Sequence, residues 1–348
     1  MPAISTKQDL RALQDDQLAE WVGRSGEPTY RAQQLHEWLW KKGVSSFDEM
    51  LNLPKRFRDK LADEFTMTRS EVDLIQESKD GTIKFRFGLH NGERIEGVLI
   101  PTSERRTACI SSQVGCALGC RFCATGLMGA RRNLTVGEVF DQVVIINQES
   151  IKRHGKPLTN IVLMGMGEPL LNYRNVLAAI SRITSPNGLG FSPRRVTLST
   201  VGIAKMIRKL GDDRVRFNLA LSLHAPTEEK RSALMPINEH HSIEELVDAL
   251  NHFYSKTRNK ITFEYVMLSG MNDSEEDAKA LAKLYKRVPV KVINLIEYNP
   301  VDGTGFRKSS EATVSKFMKI LVERGADVTL RRSRGRDIDA ACGQLANK

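Results

Sequence analysis

Residues 107–126 read TACISSQVGCALGCRFCATG, and this stretch decides the fold. It opens on a short apolar strand pattern, Thr107 to Ser112, and runs straight into a loop carrying Cys116, Cys120 and Cys123. Three thiolates spaced by four and then three residues in one loop can converge on a single metal centre. A cubane iron–sulfur cluster is usually held by four thiolates, so three leave one iron open to a further ligand. The open iron suits the amino and carboxylate groups of S-adenosylmethionine. Given an electron, the sulfonium of that molecule breaks to a 5′-deoxyadenosyl radical, and the protein supplies position. The alternative is structural zinc, which needs a fourth ligand. The nearest histidines, His90 and His154, lie far off in sequence.

Working downstream, NIVLMG (160–165), RRVTLST (194–200), RFNLALSL (216–223), ITFEYVML (261–268) and VKVINLIE (290–297) read as buried strands. Helical patterns follow them. Thr135 and Glu138 form a capping box, and SIEELVDALNHFY (242–254) and SEEDAKALAKLYKRV (274–288) are the clearest later helices. Strand alternating with helix predicts parallel pairing through right-handed crossovers. Six such units are too few for an eight-unit barrel, so the predicted fold class is α/β, a partial (β/α)6 barrel. Upstream, Ile83, Phe85, Phe87 and Leu89 alternate with Lys84, Arg86 and Gly88, a half-buried strand. Asp80-Gly81 and Asn91-Gly92 flank it as hairpin turns, so an antiparallel meander is expected. The first part reads as helical. One helix follows the capping candidates Ser5 and Thr6 with Leu10, Leu13 and Leu18 inward. A second spans Tyr30 to Lys42 and stops at Gly43, and a third begins near Pro54. Trp21, Trp38 and Trp40 all fall here and are predicted to be core rather than stacking platforms. The expected units are a helical domain (1–68), the meander (69–101) and the barrel with its C-terminal tail (102–348).

The 348 residues are 41% hydrophobic and 27% charged, enough to bury a large core. Fifty-two Lys and Arg against 42 Asp and Glu give a net charge of +10, which favours an anionic partner, nucleic acid above all. No apolar run approaches the roughly 18–20 residues of a membrane span. The opening MPAISTKQDL has no apolar stretch for a signal peptide. Five cysteines without an export signal favour metal or redox chemistry in a reducing cytoplasm over a disulfide framework.

Other candidate residues cluster after strands. In Gly165-Met166-Gly167-Glu168-Pro169 the glycines would let backbone approach a ligand, and Glu168 could accept a bond from an ammonium. Ser199, then Ser222-Leu223-His224, then Asn299 stand at the carboxyl ends of later strands, where barrel enzymes build their sites. Cys109 lies on the first strand and Cys342 in RGRDIDAACGQL near the end. Each alone reads as a small buried residue or an idle thiol. A flexible, glycine-bearing tail could nevertheless carry Cys342 into the barrel mouth. Glu96, between Ile95 and Gly97, reads on its own as a solvated strand residue rather than a buried base.

The three-cysteine spacing, with Phe122 before the last cysteine, resembles the radical S-adenosylmethionine superfamily. GCALGCRFCATG, MGMGEPL, TLSTVG, LSLHAP, EYVML, YNP and RGRDIDAACGQL together resemble the RlmN/Cfr family of RNA adenine methyltransferases. EPTYRAQQLHEWLW is similar to that family's helical domain, so the likeness spans nearly the whole chain. The resemblance implies a 4Fe-4S cluster on Cys116, Cys120 and Cys123. It implies S-adenosylmethionine, two per turnover, bound by Gly167, Glu168, Ser199, Ser222, Leu223, His224 and Asn299. Cys342 would carry the methyl group, Cys109 would release the product through a transient disulfide, and Glu96 would accept the proton. The implied reaction is methylation of carbon 2 of an adenosine in 23S rRNA, at the peptidyl transferase centre and before assembly is complete. The adenosine 3′ of the anticodon in tRNA is a second target. An electron donor such as flavodoxin, a monomeric state, a cytoplasmic location and no membrane partner are implied as well.

Chemistry agrees with that route. Carbon 2 of adenine lies between two ring nitrogens and will not attack a methyl sulfonium, whereas a carbon radical can add there. Releasing the carrier needs a second thiol, so the five cysteines meet the requirement with none left over. The base must leave its stack. The helical domain and the pairs Arg131-Arg132, Arg194-Arg195 and Arg331-Arg332 are candidates to grip phosphates. The family often has a hydroxyl residue where this chain has Gly97, and no long basic tail follows Cys342, which bears against tail contacts to RNA. Three alternatives stand beside this reading: methylation at carbon 8 by the sister activity, a zinc-stabilised RNA-binding protein, and a Rossmann-type methyltransferase. The last leaves the cysteines unexplained.

Overall fold

The computed structural model describes residues 7–347. Its centre is a ten-stranded sheet. In chain order the strands are β1 (Glu71–Glu77), β2 (Ile83–Gly88), β3 (Arg94–Pro101), β4 (Arg106–Cys109), β5 (Asn160–Leu163), β6 (Val196–Thr200), β7 (Asn218–Ser222), β8 (Ile261–Met267), β9 (Val290–Glu297) and β10 (Val328–Arg331). From β4 to β10 every neighbour is parallel, while β1 to β4 pair antiparallel. The meander therefore continues the barrel's sheet.

Six helices cross between the parallel strands, which gives the partial (β/α)6 barrel. The tenth strand, VTLR, was missed because four residues carry too little pattern. Four of the crossover helices start where a side chain satisfies a free N–H group, at Thr135, Ser242, Ser274 and Ser310. Thr135 Oγ1 accepts from Glu138 N at 3.2 Å and Glu138 Oε2 accepts from Thr135 N at 2.8 Å. Ser242 with Glu245, and Ser274 with Asp277, repeat the device. Ile261–Met267 is buried along its whole length, with Ile261, Phe263, Tyr265 and Met267 on one face and Thr262, Glu264 and Val266 on the other.

The N-terminal segment differs from its reading in one element. The first expected helix is broken: Leu10–Ala12 is a single tight turn and the α-helix is Asp15–Arg24, started by Gln14. Ser5 and Thr6 lie outside the described residues. Tyr30–Glu37 continues through a wider turn to Lys42 and ends at Gly43, whose φ of 65° fits a left-handed stop. Lys55–Glu64 follows Pro54. Trp21 and Trp40 are buried, and Trp38 is partly covered by Lys42, whose Nζ lies 3.6 Å from the ring centroid. A buried ionic junction joins this segment to the barrel. Asp141, on the helix Val136–His154, accepts from Arg11 Nη1 at 2.7 Å, from Arg69 and from Ser70 N. Among the described residues no helix is long and apolar enough to cross a membrane.

Candidate active site

The loop after β4 is tied down before it reaches the cysteines. Residues Gln113–Cys116 pair antiparallel with Gly129–Asn133, closing the cysteine loop as a hairpin. Arg132 joins that hairpin to the first crossover helix, 2.8 Å from Glu138. Cys116, Cys120 and Cys123 then line one cavity at the carboxyl ends of the strands. Burial pushes all three thiols up, Cys116 to about 11, and in Cys120 the neighbouring cysteines add to it. Thiols this close repel one another as thiolates and need a cationic centre to ionise together. Among the described residues no three His, Cys, Asp or Glu side chains converge on a single ion. Glu168, His224 and Cys342 line the same cavity, so the fit to an open-sided cluster rests on the three thiols that one loop presents there.

The same cavity is lined by Gly167, Glu168, Ser199, Ser222 and His224. Glu168 is buried, and burial raises its carboxyl to about 7. Its oxygens accept from Leu170 N at 3.1 Å and Val201 N at 2.9 Å. Ser199 Oγ and Ser222 Oγ sit 3.3 Å apart on adjacent strands. His224 has φ 56°, accepts from Val266 N through Nδ1 at 3.1 Å, and meets Phe122 edge to face at 4.8 Å. Burial lowers its pKa to about 3, so the ring is neutral. Leu223 and Asn299 do not line the cavity. Leu223 is core, and Asn299 stands behind the tail, donating to the Cys342 carbonyl at 3.2 Å. Among the described residues Asn299 Oδ1 is buried without a partner, an acceptor held ready for a ligand donor.

The glycines, which line the cavity, are also required by packing. A Cβ on Gly165 would come within 2.7 Å of Ser111 Oγ, and one on Gly167 within 2.4 Å of Gln113 Cβ. They let the loop after β5 press against the strand that leads to the cysteines.

Cys109 and Cys342 line an adjoining cavity with Cys123 and Arg331. Cys109 is buried at 7% exposure and Cys342 is exposed. Burial, and then Cys342, push the Cys109 thiol up to about 12, against a lowering by Arg331. The tail holding Cys342 is fixed, not flexible. Asp337 accepts from Ser78 Oγ at 2.6 Å, and Asp80 accepts from Gly335 N at 2.9 Å. Gly343 O accepts from Ala124 N at 2.7 Å, and Leu345 O accepts from Thr125 Oγ1 at 2.6 Å.

Glu96 corrects its solvated reading, because it is fully buried. Lys84 Nζ lies 3.3 Å from Oε1, and Oε2 accepts from Ala346 N at 2.9 Å. Lys84, expected on the open side of its strand, is buried as the counter-ion. Val98 pairs with Cys109, so Glu96, two residues back, faces the same side of the sheet as Cys109. Gly97 is explained by crowding: a Cβ there would meet Phe87 Cε2 at 3.0 Å and Cys109 O at 3.3 Å. Two of the arginines proposed for phosphates have partners inside the protein. Arg132 pairs with Glu93 at 2.6 Å as well as with Glu138, and Arg331 Nη1 pairs with Glu264 at 3.1 Å. Arg331 is the site residue that sequence reasoning misplaced. Alternation in VTLR, with Val328 and Leu330 set against Thr329 and Arg331, is the signal that could have turned it inward.

A partial barrel whose first loop presents three cysteines beside a strand-end cavity defines a radical S-adenosylmethionine enzyme. Residues 110–282 match the model of the Radical SAM superfamily, and residues 8–67 match the Ribosomal RNA large subunit methyltransferase N-terminal domain. The chain belongs to the RlmN family. It is 50% identical to a probable dual-specificity RNA methyltransferase RlmN of Christiangramia forsetii, over 98% of this chain and 97% of that protein. It is 51% identical to a protein of the same description in Cytophaga hutchinsonii, over 98% and 93%. Among solved structures, a radical SAM methyltransferase from Sphaerobacter thermophilus superposes with a TM-score of 0.91 at 40% identity, covering 98% of this chain and all of that one. The cofactors are accordingly S-adenosylmethionine and a 4Fe-4S cluster.

Proposed function

We propose that this protein methylates carbon 2 of an adenosine in RNA, with 23S rRNA and tRNA as its substrates. The observation that carries the reading is the meeting of Cys109, from β4, and Cys342, from the far end of the chain, in one chamber beside the three-cysteine loop. The curated relatives, described as dual-specificity RNA methyltransferases, support RNA as the substrate.

In this reading Cys116, Cys120 and Cys123 hold the cluster. Gly167, Glu168, Ser199, Ser222, Leu223, His224 and Asn299 surround S-adenosylmethionine, some by contact and Leu223 by packing behind. The bound pair supplies a carbon-centred radical by one-electron cleavage. Cys342 carries the one-carbon unit on its sulfur and presents it to the base. Cys109 attacks that sulfur, forming an S–S bond as the S–C bond breaks. Glu96, held 3.3 Å from Lys84 Nζ, takes the proton lost from the ring. The residues 1–68 add a second surface for RNA, 69–101 shape the wall that carries Glu96, and 102–348 carry the chemistry. The enzyme works in the cytoplasm as a monomer, on rRNA before assembly is complete, with an electron donor such as flavodoxin.

The test is to compare RNA from cells with and without the gene, digested to nucleosides and resolved by mass spectrometry. 2-Methyladenosine present only with the protein, in both RNA classes, is expected. 8-Methyladenosine instead would assign the sister chemistry, and an unchanged nucleoside profile would reject the activity.

A further inference from the structure

A second large cavity opens at the other end of the barrel. It measures about 780 Å³ and is lined by the first residues of all seven parallel strands, largely threonine and asparagine side chains. Arg105, Arg194, Arg195 and Lys260 stand around its mouth and are exposed. Among the described residues the side chains of these four form no ion pair and no hydrogen bond. Glu104 is the acidic side chain at the rim, and Glu264, deeper in, is engaged by Arg331. The excess of uncompensated positive charge is what an anionic chain would neutralise, and a polar cavity of this size admits a nucleotide.

The cavity also leads somewhere. It shares Arg105, Thr107, Met164 and Arg331 with the chamber of about 330 Å³ that contains Cys109 and Cys342. The candidate cofactor residues approach that chamber from the opposite end, with Arg331 and Cys342 on the border of their cavity. Arg332, exposed on the chamber's rim, extends the positive track toward the tail.

We propose that the RNA strand lies across the amino-end mouth of the barrel, with phosphates on Arg105, Arg194, Arg195 and Lys260. The target base then passes Arg331 to reach Cys342 from the side opposite the cofactor. The inference rests on the RNA methyltransferase reading and adds the face by which RNA enters. Contacts to phosphate carry no sequence information, so one such track serves both rRNA and tRNA. Approach from two ends also lets Cys342 stand between cofactor and base, without either having to leave for the other to enter.

The test uses the full-length holoenzyme and a short unmodified RNA hairpin bearing the target adenosine in its loop. Binding is measured between 50 and 200 mM salt for the wild type, for Arg194→Gln/Arg195→Gln, and for Lys283→Gln/Lys286→Gln on an outer helix. The first pair should bind about tenfold more weakly at 200 mM salt, and its slope of log K against log salt should shrink by about 1.4. Its KM for RNA should rise while kcat at saturating RNA, iron content and S-adenosylmethionine affinity stay at wild-type values. Arg194→Lys/Arg195→Lys should restore the slope. A slope and KM equal to wild type, or a loss matched by the outer-helix pair, would overturn the proposal. Wild-type protein that binds the hairpin but leaves it unmethylated refutes the assigned activity while the salt slopes still judge the entry face.

Discussion

The proposed hand-over of a one-carbon unit on Cys342 needs Cys109 within reach, and these two thiols line one chamber with Arg331. Cys342→Ala is expected to abolish methylation while leaving iron content at the wild-type level, measured by anaerobic iron analysis beside a product assay. Cys109→Ala should stop later, with RNA joined to the protein through Cys342, visible as a shifted band that survives denaturation. Retained turnover in either variant would break the assignment. Gly167 has φ 92° and no space for a Cβ beside Gln113. Gly167→Ala should therefore cost about 2–3 kcal/mol from crowding in a packed site, read as a lower Tm and weaker S-adenosylmethionine binding. At this scale the sequence exposed the three cysteines by spacing alone. It did not reveal that Lys84 and Glu96 are buried together, because alternation tells which face a residue takes and not whether another element covers that face.

The tail has one short turn of helix, Arg336–Ile338, and its position is set by hydrogen bonds together with the burial of Ala340, Ala341 and Leu345. Asp337 receives Ser78 Oγ and Lys79 N, and Asp80 receives Gly335 N, so the turn between β1 and β2 clamps the segment that leads to Cys342. Asp337→Ala removes two of these bonds. Faster amide exchange across residues 332–347 and a lower kcat are expected, with cluster content unchanged; hydrogen-exchange mass spectrometry checks it. Several helices were legible because they announce their start, as Thr135 with Glu138 does. The break between Leu10–Ala12 and Asp15–Arg24 was not, since the apolar spacing runs through it and only Gln14 marks the new start. Nor does a glycine in the tail disclose mobility, since Gly335 and Gly343 are both held by neighbours.

In the molecule as a whole, the helical segment and the barrel are joined at Asp141, where two arginines meet one buried carboxylate. Asp141→Ala would leave both cations buried without it and is expected to cost about 3–5 kcal/mol; calorimetry should show a lower and broader transition. The architecture was readable from alternating strands and helices. The continuity of β1–β3 with the barrel was not, because a hairpin pattern is the same whether its last strand ends a sheet or joins one. One consequence follows from the clamped tail. An S–S bond between Cys109 and Cys342 would close a ring of more than two hundred residues, and the folded protein already holds its ends together. Such a bridge gains from the high effective concentration of its two thiols and resists reduction. Turnover would then be governed by regeneration rather than by radical chemistry. An external thiol would have to attack at Cys342, the exposed sulfur of the pair, and expel Cys109 as a reluctant, strongly basic leaving group.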